Sequence, residues 1–519
     1  MAVSSLGRMS RPLTHLMGLS LLVTGAGCGT ETNEGNGGQL QTAPDNTQGS
    51  AAAARARAPR LLAPLSGSAG DSRQPVFAWA PSTPRATLQI CDERSCARVL
   101  ASIDSMNGFA QPTTPLPAGL LFWRVVSNQG QSATWQIAIP ARDAGLTTTF
   151  AALPDYNGDG FADVAIGAPD AGGGSVALIF GARFPNFSPD LTLTGPAQFG
   201  RGVAAIGDVN GDGFVDLAVA SGGDPGAVTI YFGGAAGPIA GPTLAHGSAS
   251  AAFGATMASA GDVNHDGYGD ILIGGRPVAQ LFLGGAGGPA TTPFASLAPG
   301  EQSGDASVVQ GPADVNADGL PDVLVGGAVF LGNGASFTRQ GGLDFGPLGG
   351  FAGDENGDGF GDFAAGTVPP GTPDGIDTSQ SLLNEGGVFF FASAGDVDGD
   401  GYGDTIASVS HFLVVPERLR VYFGAPGSCG DFNCRRHSPI VVAGHQQSDD
   451  FTPVAVAAAG DVNGDGTDDL VVSRPDIGAA YLFLGHAGGL GEVSFRTWSG
   501  APGFGSSVPG IFGTATPGF

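Results

Sequence analysis

Seven copies of one nine-residue acidic string constrain this chain more than any other feature of its sequence. The string reads D-x-[ND]-x-D-G-x-x-D, and its copies, strings 1 to 7, begin at Asp155, Asp208, Asp262, Asp314, Asp354, Asp396 and Asp461. Apolar runs flank the strings, and a third run that ends in glycine often follows, as at residues 177–181, 229–233 and 419–424. Copies 40 to 65 residues apart, with three or four short strands each, have the dimensions of β-propeller blades. The sequence therefore predicts an all-β fold.

Short motifs beside the strings resemble the FG-GAP repeat of integrin α-subunits. Phe199-Gly200 precedes string 2, Phe253-Gly254 precedes string 3, and Ile-Gly-Ala-Pro follows string 1 at residues 166–169. The resemblance covers residues 146–519 and implies a seven-bladed β-propeller in which each string joins the first two strands of its blade. Each repeat takes the number of its string. Repeat 3 departs from the pattern with Gly-Gly-Arg-Pro at residues 274–277, and repeat 5 lacks a clear third strand. We expect the segment that contains Phe504 to pair with blade 1.

The spacing of oxygen-bearing side chains in each string predicts a calcium site. Calcium takes six to eight hard oxygen ligands, so a loop must turn several carboxylates inward within a few residues. Positions 1, 3 and 5 supply side-chain oxygens, the glycine at position 6 permits a sharp turn, position 7 offers its backbone carbonyl and position 9 completes the shell. The integrin-type loop resembles this assignment position by position. The implied ligands of up to seven Ca²⁺ ions are Asp155, Asn157, Asp159, Phe161, Asp163; Asp208, Asn210, Asp212, Phe214, Asp216; Asp262, Asn264, Asp266, Tyr268, Asp270; Asp314, Asn316, Asp318, Leu320, Asp322; Asp354, Asn356, Asp358, Phe360, Asp362; Asp396, Asp398, Asp400, Tyr402, Asp404; and Asp461, Asn463, Asp465, Thr467, Asp469.

Two other interpretations of the strings are weaker. An EF-hand needs a bidentate Glu at its twelfth position, whereas Ile166, Val219 and Ile273 stand there in the first three strings. A metal-free Asn-Gly or Asp-Gly turn is the other alternative, because these residues favour turns on their own. A turn does not require the aspartate at position 9, which all seven strings contain.

The charge of the chain favours a cationic ligand. The chain has 47 acidic and 21 basic residues and a net charge of −26. Such a protein is repelled by nucleic acid and by anionic lipid, so we expect no nucleic-acid partner and contact with a membrane only through a lipid anchor.

The N-terminus predicts export from a bacterial cell. Arg8 and Arg11 precede a short apolar stretch at residues 13–23, and the Gly-Ala-Gly-Cys segment that ends at Cys28 resembles a lipobox, which implies lipidation of that cysteine. Plain secretion is the alternative. Residues 29–60 are polar or small without periodicity and predict a flexible tether. The remaining cysteines form two close pairs, which favours the disulfides Cys91–Cys96 and Cys429–Cys434 over free thiols.

Residues 61–143 predict a small β-sandwich. Short alternating runs such as residues 86–90 and 120–125 are separated by turn residues. Their order resembles fibronectin type III-like domains of bacterial surface proteins. Three tryptophans in this segment, Trp79, Trp123 and Trp135, fit a core better than a carbohydrate-binding platform.

No catalytic motif accompanies these features. The chain has no G-x-S-x-G elbow, no H-E-x-x-H and no phosphate-binding glycine loop before a helix. Two functions remain: a surface adhesion module that binds an unknown protein or glycan, which we favour, and a propeller-borne hydrolase or lyase acting on glycans or lipids with structural calcium. The predicted ligand face comprises residues 167–175, 221–227, 246–252 and 445–450, and replacing Asp224 and Asp449 with Lys tests it. The oligomeric state is not predicted.

Overall fold

The computed structural model describes residues 58–69, 73–80, 85–139, 153–183, 188–222, 226–245, 252–300, 306–340, 350–364, 368–379, 388–411, 415–426, 437–440, 455–475, 477–491, 494–500 and 505. All of them belong to one compact unit, Ala56–Phe519. Their regular secondary structure is entirely β-strand. Within these ranges, no helix could span a membrane. The predictions for the export signal, Cys28, most of the tether, the Cys429–Cys434 disulfide and much of the ligand face lie outside the described residues.

Two sheets form the segment before residue 140. Its strands are β1 (Arg60–Ala63), β2 (Ser68–Ala69), β3 (Phe77–Ala80), β4 (Ala86–Cys91), β5 (Val99–Ser105), β6 (Phe109–Ala110), β7 (Gly119–Ser127), β8 (Gly130–Gln131) and β9 (Trp135–Ile139). One sheet has the order β1-β3-β6, and the other has the order β2-β9-β7-β4-β5 with β8 beside β7. Both sheets contribute to one buried core, so we call residues 60–139 the N-terminal sandwich.

Alternating side chains fill the core of this sandwich. Phe77 and Trp79 on β3 face the same cluster as Trp123 and Trp135 from the other sheet. The rings of Trp123 and Trp135 meet edge to face with centroids 5.7 Å apart. Because the three tryptophans are at most 2% exposed, no indole face is available to stack on a sugar. The relationship to fibronectin type III domains stays a prediction.

Short antiparallel sheets follow one another along the rest of the chain. Their strands are β10 (Val164–Ala168), β11 (Ser175–Ile179), β12 (Leu191–Thr194), β13 (Gly202–Gly207), β14 (Asp216–Ser221), β15 (Ala227–Phe232), β16 (Ile239–Ala245), β17 (Met257–Gly261), β18 (Asp270–Ile273), β19 (Ala279–Phe282), β20 (Ala295–Leu297), β21 (Val309–Ala313), β22 (Asp322–Val325), β23 (Ala328–Gly332), β24 (Phe337–Arg339), β25 (Gly350–Gly353), β26 (Asp362–Ala364), β27 (Gly371–Thr372), β28 (Gly375–Ile376), β29 (Val388–Gly395), β30 (Asp404–His411), β31 (Val415–Tyr422), β32 (His437–Ile440), β33 (Ala455–Gly460), β34 (Asp469–Arg474), β35 (Ala479–Phe483), β36 (Gly485–His486), β37 (Gly489–Leu490) and β38 (Arg496–Ser499).

Each sheet belongs to one repeat, and its strands pair in chain order. The sheets are β10 to β12, β13 to β16, β17 to β20, β21 to β24, β29 to β32, and β33, β34, β35 and β38. Repeat 5 has only the pairs β25-β26 and β27-β28 among the described residues, in line with its weak third strand in the sequence. In repeats 2 to 7 the acidic string joins the first two strands, and its last aspartate begins the second strand.

The inner strands of the repeats are buried on both faces because each sheet packs between its neighbours, whereas outer strands such as β16 and β38 are largely exposed. All six residues of β14 are buried. Shared clusters join repeats 1 and 2, 2 and 3, 3 and 4, 4 and 5, and 6 and 7. A further cluster joins the last repeat to the first, since Val471 and Leu482 pack with Val164 and Ile166.

Backbone hydrogen bonds connect neighbouring strings. The N–H at position 8 donates to the carbonyl at position 1 of the preceding string for Gly269 and Asp208, Gly361 and Asp314, Gly403 and Asp354, and Asp468 and Asp396. Ala162 of string 1 makes the same bond to Asp461 of string 7, at 3.0 Å. String 4 has Pro321 at this position, which has no N–H to donate.

Gly505, which lies after the last repeat, occupies a position that in repeats 2 and 3 is filled by a glycine just before the string of the same repeat. Gly200 and Gly254 donate their N–H groups to Ala220 and Gly274, each of which lies four residues after position 9 of its string. The equivalent carbonyl in repeat 1 belongs to Gly167, and Gly505 donates to it at 2.8 Å. Gly505 therefore makes the contact with repeat 1 that the FG glycines Gly200 and Gly254 make in repeats 2 and 3.

Candidate cation-binding loops

The acidic strings close into tight loops around their first aspartate. In string 1, Asp155 Oδ1 accepts from Gly158 N–H at 2.6 Å, and Asp155 Oδ2 accepts from Gly160 N–H at 3.0 Å. The second of these bonds recurs in all seven strings. Gly160 has a φ of 99°, a left-handed conformation that a Cβ would strain. The glycine at position 6 thus allows consecutive backbone N–H groups to point at the carboxylate.

The aspartate at position 9 connects the loop to the third strand of its own sheet. Asp216 Oδ2 accepts from Val209 N–H at 2.9 Å, and Asp216 Oδ1 accepts from Gly233 N–H at 2.8 Å, just beyond β15. All seven strings repeat this pair of bonds at 2.8 to 3.0 Å. Sequence analysis assigned this residue to the metal alone and missed its backbone role. The glycine that ends the third apolar run was the available signal.

Two strings bring three carboxylates close enough to share one ion. Oxygens of Asp155, Asp159 and Asp163 lie within 4.8 Å of one another, and so do those of Asp396, Asp398 and Asp404. In string 1, Asp155 and Asp163 are buried and Asp159 is exposed, so this loop opens toward solvent on its position-5 side; in string 6, Asp398 and Asp404 are buried and Asp396 is half-buried. The donor set consists of hard oxygens only, which fits calcium. The assignment of the individual ligands in all seven strings stays a prediction.

Burial raises the pKa of these carboxyl groups, so the ionised form is disfavoured when no cation is bound. Burial, followed by the charge of Asp159, raises the pKa of Asp155 to about 7. Burial also raises the pKa of Asp270, Asp322 and Asp469 to about 8. Two carboxylates 4 Å apart at an effective dielectric of 20 repel by about 4 kcal/mol, more than the 1.5–3 kcal/mol of one charge-assisted hydrogen bond. A bound divalent cation would remove this repulsion.

Two strings hold a non-glycine residue in the left-handed region at position 4. His265 has a φ of 55° and Ala317 a φ of 54°, whereas the other strings have glycine there. An L-residue pays about 1–2 kcal/mol for this conformation. Strings 3 and 4 therefore keep the loop shape despite a local cost.

Comparison with known proteins agrees with this geometry. Residues 147–179 match the FG-GAP repeat, and residues 208–273 match the FG-GAP-like repeat. Integrin alpha-3 from Mus musculus is 38% identical over 144 residues, which are 24% of this chain and 13% of that protein. Integrin alpha-6 from Homo sapiens is 36% identical over 143 residues, which are 25% of this chain and 13% of that protein. The chain thus spans a small fraction of the length of these curated relatives.

Solved structures are more distant. A rhamnogalacturonan lyase from Bacillus licheniformis has a TM-score of 0.34 and 13% identity, and the match covers 81% of this chain and 89% of that chain. A protein from Lactobacillus plantarum has a TM-score of 0.40 and 12% identity over 67% of this chain and 98% of that chain. Likeness at this level does not bear on function.

Repeated antiparallel sheets whose first two strands are joined by an acidic loop define an all-β repeat protein. The two matched segments are similar to FG-GAP repeats, and together with the integrin α relatives they support an FG-GAP, integrin α-like relationship for this part of the chain.

Proposed function

We propose that the repeats form a closed seven-bladed β-propeller. The contacts between consecutive strings support a ring, and the bond from Ala162 to Asp461 joins its ends. The apolar cluster shared by repeats 1 and 7 supports the same closure.

We further propose that the acidic strings bind calcium and that the bound ions stabilise the ring. The observation that carries this proposal is the convergence of three carboxylates, two of them buried, in each of strings 1 and 6. When bound, calcium supplies charge neutralisation and a fixed geometry. The chain's own residues hold the loop open toward solvent and keep its backbone N–H groups on the first carboxylate.

Calorimetric titration and thermal unfolding test calcium binding. Extracellular sites of this kind bind at about 10⁻⁴ to 10⁻³ M, so millimolar calcium should raise the melting temperature and a chelator should lower it. Magnesium at the same concentration is the matched control, because it demands a tighter octahedral shell. A melting temperature that responds to neither calcium nor chelator would refute the proposal.

We propose that the exported chain acts as a surface module that binds a protein or a glycan. The support is that a repeated frame carries unequal connections between second and third strands, from the two residues 326–327 to the six residues 169–174. Variable loops on a rigid scaffold are typical of recognition sites. An N-terminal lipid on Cys28 would place this module at a membrane surface.

Binding and turnover assays distinguish the two functions. The full chain in millimolar calcium should retain one class of ligand from protein and glycan arrays and leave it chemically unchanged. Polysaccharides, including rhamnogalacturonan, should show no new reducing ends or unsaturated products after incubation. Product formation would instead favour the lyase or hydrolase.

A further inference from the structure

The N-terminal sandwich lies against three neighbouring acidic strings. Ser66 Oγ donates to the carbonyl of Gly213 in string 2 at 2.8 Å. The guanidinium carbon of Arg60, in β1, lies 5.7 Å from the ring centroid of Tyr268 in string 3. String 1 is reached by Arg94, which lies in the turn closed by the Cys91–Cys96 disulfide.

Arg94 joins the sandwich to two strings at once. Its Nε donates to the carbonyl of Gly158 at 2.9 Å, and its Nη1 donates to the carbonyl of Gly213 at 2.8 Å. Within the sandwich it donates to the Thr134 carbonyl at 3.1 Å and to Gln136 Oε1 at 2.7 Å. These bonds reach string carbonyls and leave the carboxylates of the strings available to a cation.

One aromatic ring from string 2 and one from the sandwich lie close to the guanidinium of Arg94. Its central carbon lies 4.2 Å from the ring centroid of Phe214, at position 7 of string 2, and 5.2 Å from that of Phe122 in β7. A planar guanidinium offers five donors in a fixed fork and a face that stacks on a ring, whereas a lysine ammonium has three donors and no plane to stack. Arg94 is therefore suited to hold two loops and the sandwich in one arrangement.

The glycines at position 6 show which strings the sandwich covers. A Cβ at Gly213 would overlap the Thr134 carbonyl oxygen, and a Cβ at Gly267 would lie 2.7 Å from the Leu61 carbonyl oxygen. The corresponding positions Gly359 and Gly466 have no atom within 4 Å. The φ angles of Gly213 and Gly359 are nearly the same, at 96° and 91°. Only the environment of the loop differs.

We propose that the N-terminal sandwich is a cap seated on strings 1 to 3 by Arg94, and that calcium in these strings and the seating of the cap stabilise each other. This inference rests on the proposed calcium binding. The carbonyls that Arg94 holds belong to the loops themselves, so repulsion among empty carboxylates displaces its acceptors. A loaded string has three carboxylates against one divalent ion, so it still attracts Arg94, although less than an empty string does; the coupling therefore acts through the position of the carbonyls and not through net charge. By thermodynamic linkage, if calcium binding stabilises the docked sandwich, docking of the sandwich strengthens calcium binding by the same free energy.

Hydrogen exchange of the full chain, with calcium alone as the ligand, tests the coupling. With calcium, amides of residues 94–96 and 134–136 should be protected, and a chelator should accelerate their exchange at least tenfold. Calcium-dependent protection of residues 461–469, in a string that makes no hydrogen bond to a cap residue in the described structure, reports calcium binding separately. If that string responds and the cap residues do not, the coupling is wrong; if neither responds, the proposed calcium binding fails first.

Two substitutions separate geometry from charge. Arg94→Ala and Arg94→Lys should both leave residues 134–136 unprotected in calcium and leave residues 461–469 unchanged. Wild-type protection in Arg94→Lys would overturn the positioning role, because charge alone would then suffice. Gly213→Ala should also release the cap and weaken calcium binding in string 2 at least threefold, without any change of charge. Gly359→Ala is its matched control at the same φ, and equal release of the cap by both variants would overturn the proposal.

Discussion

The backbone N–H of Ala162 in the first acidic string donates to the carbonyl of Asp461 in the last, 3.0 Å away and about 300 residues later in the chain. Strings 3, 5, 6 and 7 make the equivalent bond to the string before them. The contact between the ends of the array therefore uses the same bond as the contacts inside it.

This bond predicts a measurable cost of removing one donor. Ala162→Pro should lower the free energy of unfolding by about 1–2 kcal/mol, because the Asp461 carbonyl loses its partner. Proline already stands at the same loop position in string 4, as Pro321, so the loop itself accommodates the ring. Chemical denaturation measures the loss, and Pro321→Ala, which removes no donor, is the control. An Ala162→Pro protein as stable as the wild type would contradict the role of this contact.

The two roles of the string aspartates predict different phenotypes in one loop. Asp216→Asn should lower the free energy of unfolding by about 2–3 kcal/mol without calcium, because an amide can accept through only one atom and would face Val209 or Gly233 with a second donor. Asp212→Asn, at an exposed position, should change that stability by less than about 0.5 kcal/mol.

Calcium affects both variants, because positions 5 and 9 are both predicted ligands. In Asp212→Asn, string 2 should lose calcium affinity while the other strings keep theirs. Unfolding with and without calcium measures both effects. If the two variants behave alike without calcium, the backbone role of position 9 is wrong.

Raised carboxyl pKa values predict that the cation-free protein is less stable at higher pH. Burial raises the pKa of Asp155 and Asp208 to about 7 and that of Asp270, Asp322 and Asp469 to about 8, against about 3.9 in an unfolded chain. Between these values the folded state binds more protons than the unfolded state, so stability falls as pH rises. The contribution is complete below pH 4 and is lost through pH 7–8.

Melting temperatures after removal of calcium should therefore fall from pH 5 to pH 8. Calcium binds the ionised carboxylates, so saturating calcium should flatten or invert this trend. A cation-free protein that gains stability over the same range would show that the strings are ionised without cost.

Charge reversal at a variable connection tests the proposed recognition face. Asp170 is exposed between β10 and β11, and Asp170→Lys should weaken retention on the cognate ligand at least tenfold if a basic group of the partner lies there. Calcium-dependent melting should be unchanged. Glu93→Lys, an exposed change on the N-terminal sandwich, is the control and should leave binding intact. Equal effects of both changes would indicate long-range charge rather than a local contact.

Local patterns carried most of the sequence prediction. Alternation places Trp79, Trp123 and Trp135 in one core, and the spacing of Cys91 and Cys96 agrees with a bond between them, with their Cα atoms 5.2 Å apart. These features depend on neighbours in sequence, which a pattern can represent.

Contacts between distant segments could not be predicted in this way. The acceptors of Arg94 include Gly158 and Gly213, 64 and 119 residues further along the chain, and no periodicity relates them to an arginine in a disulfide turn. The position-9 aspartates were recognised as special, but their bonds to third-strand glycines depend on how two strands register across a sheet. Long-range register requires the assembled fold.

Gly505 has a mechanical consequence. Its N–H donates to Gly167 in repeat 1, and its carbonyl accepts from Ser473 Oγ in repeat 7 at 2.7 Å. Among the described residues, a pulling force applied at the C-terminus meets these two hydrogen bonds before it reaches β38. Such a force would break the few hydrogen bonds of Gly505 one after another, instead of breaking all the hydrogen bonds between two paired strands together. Under tension, the array should yield first at this junction, at low force, while its individual sheets remain folded.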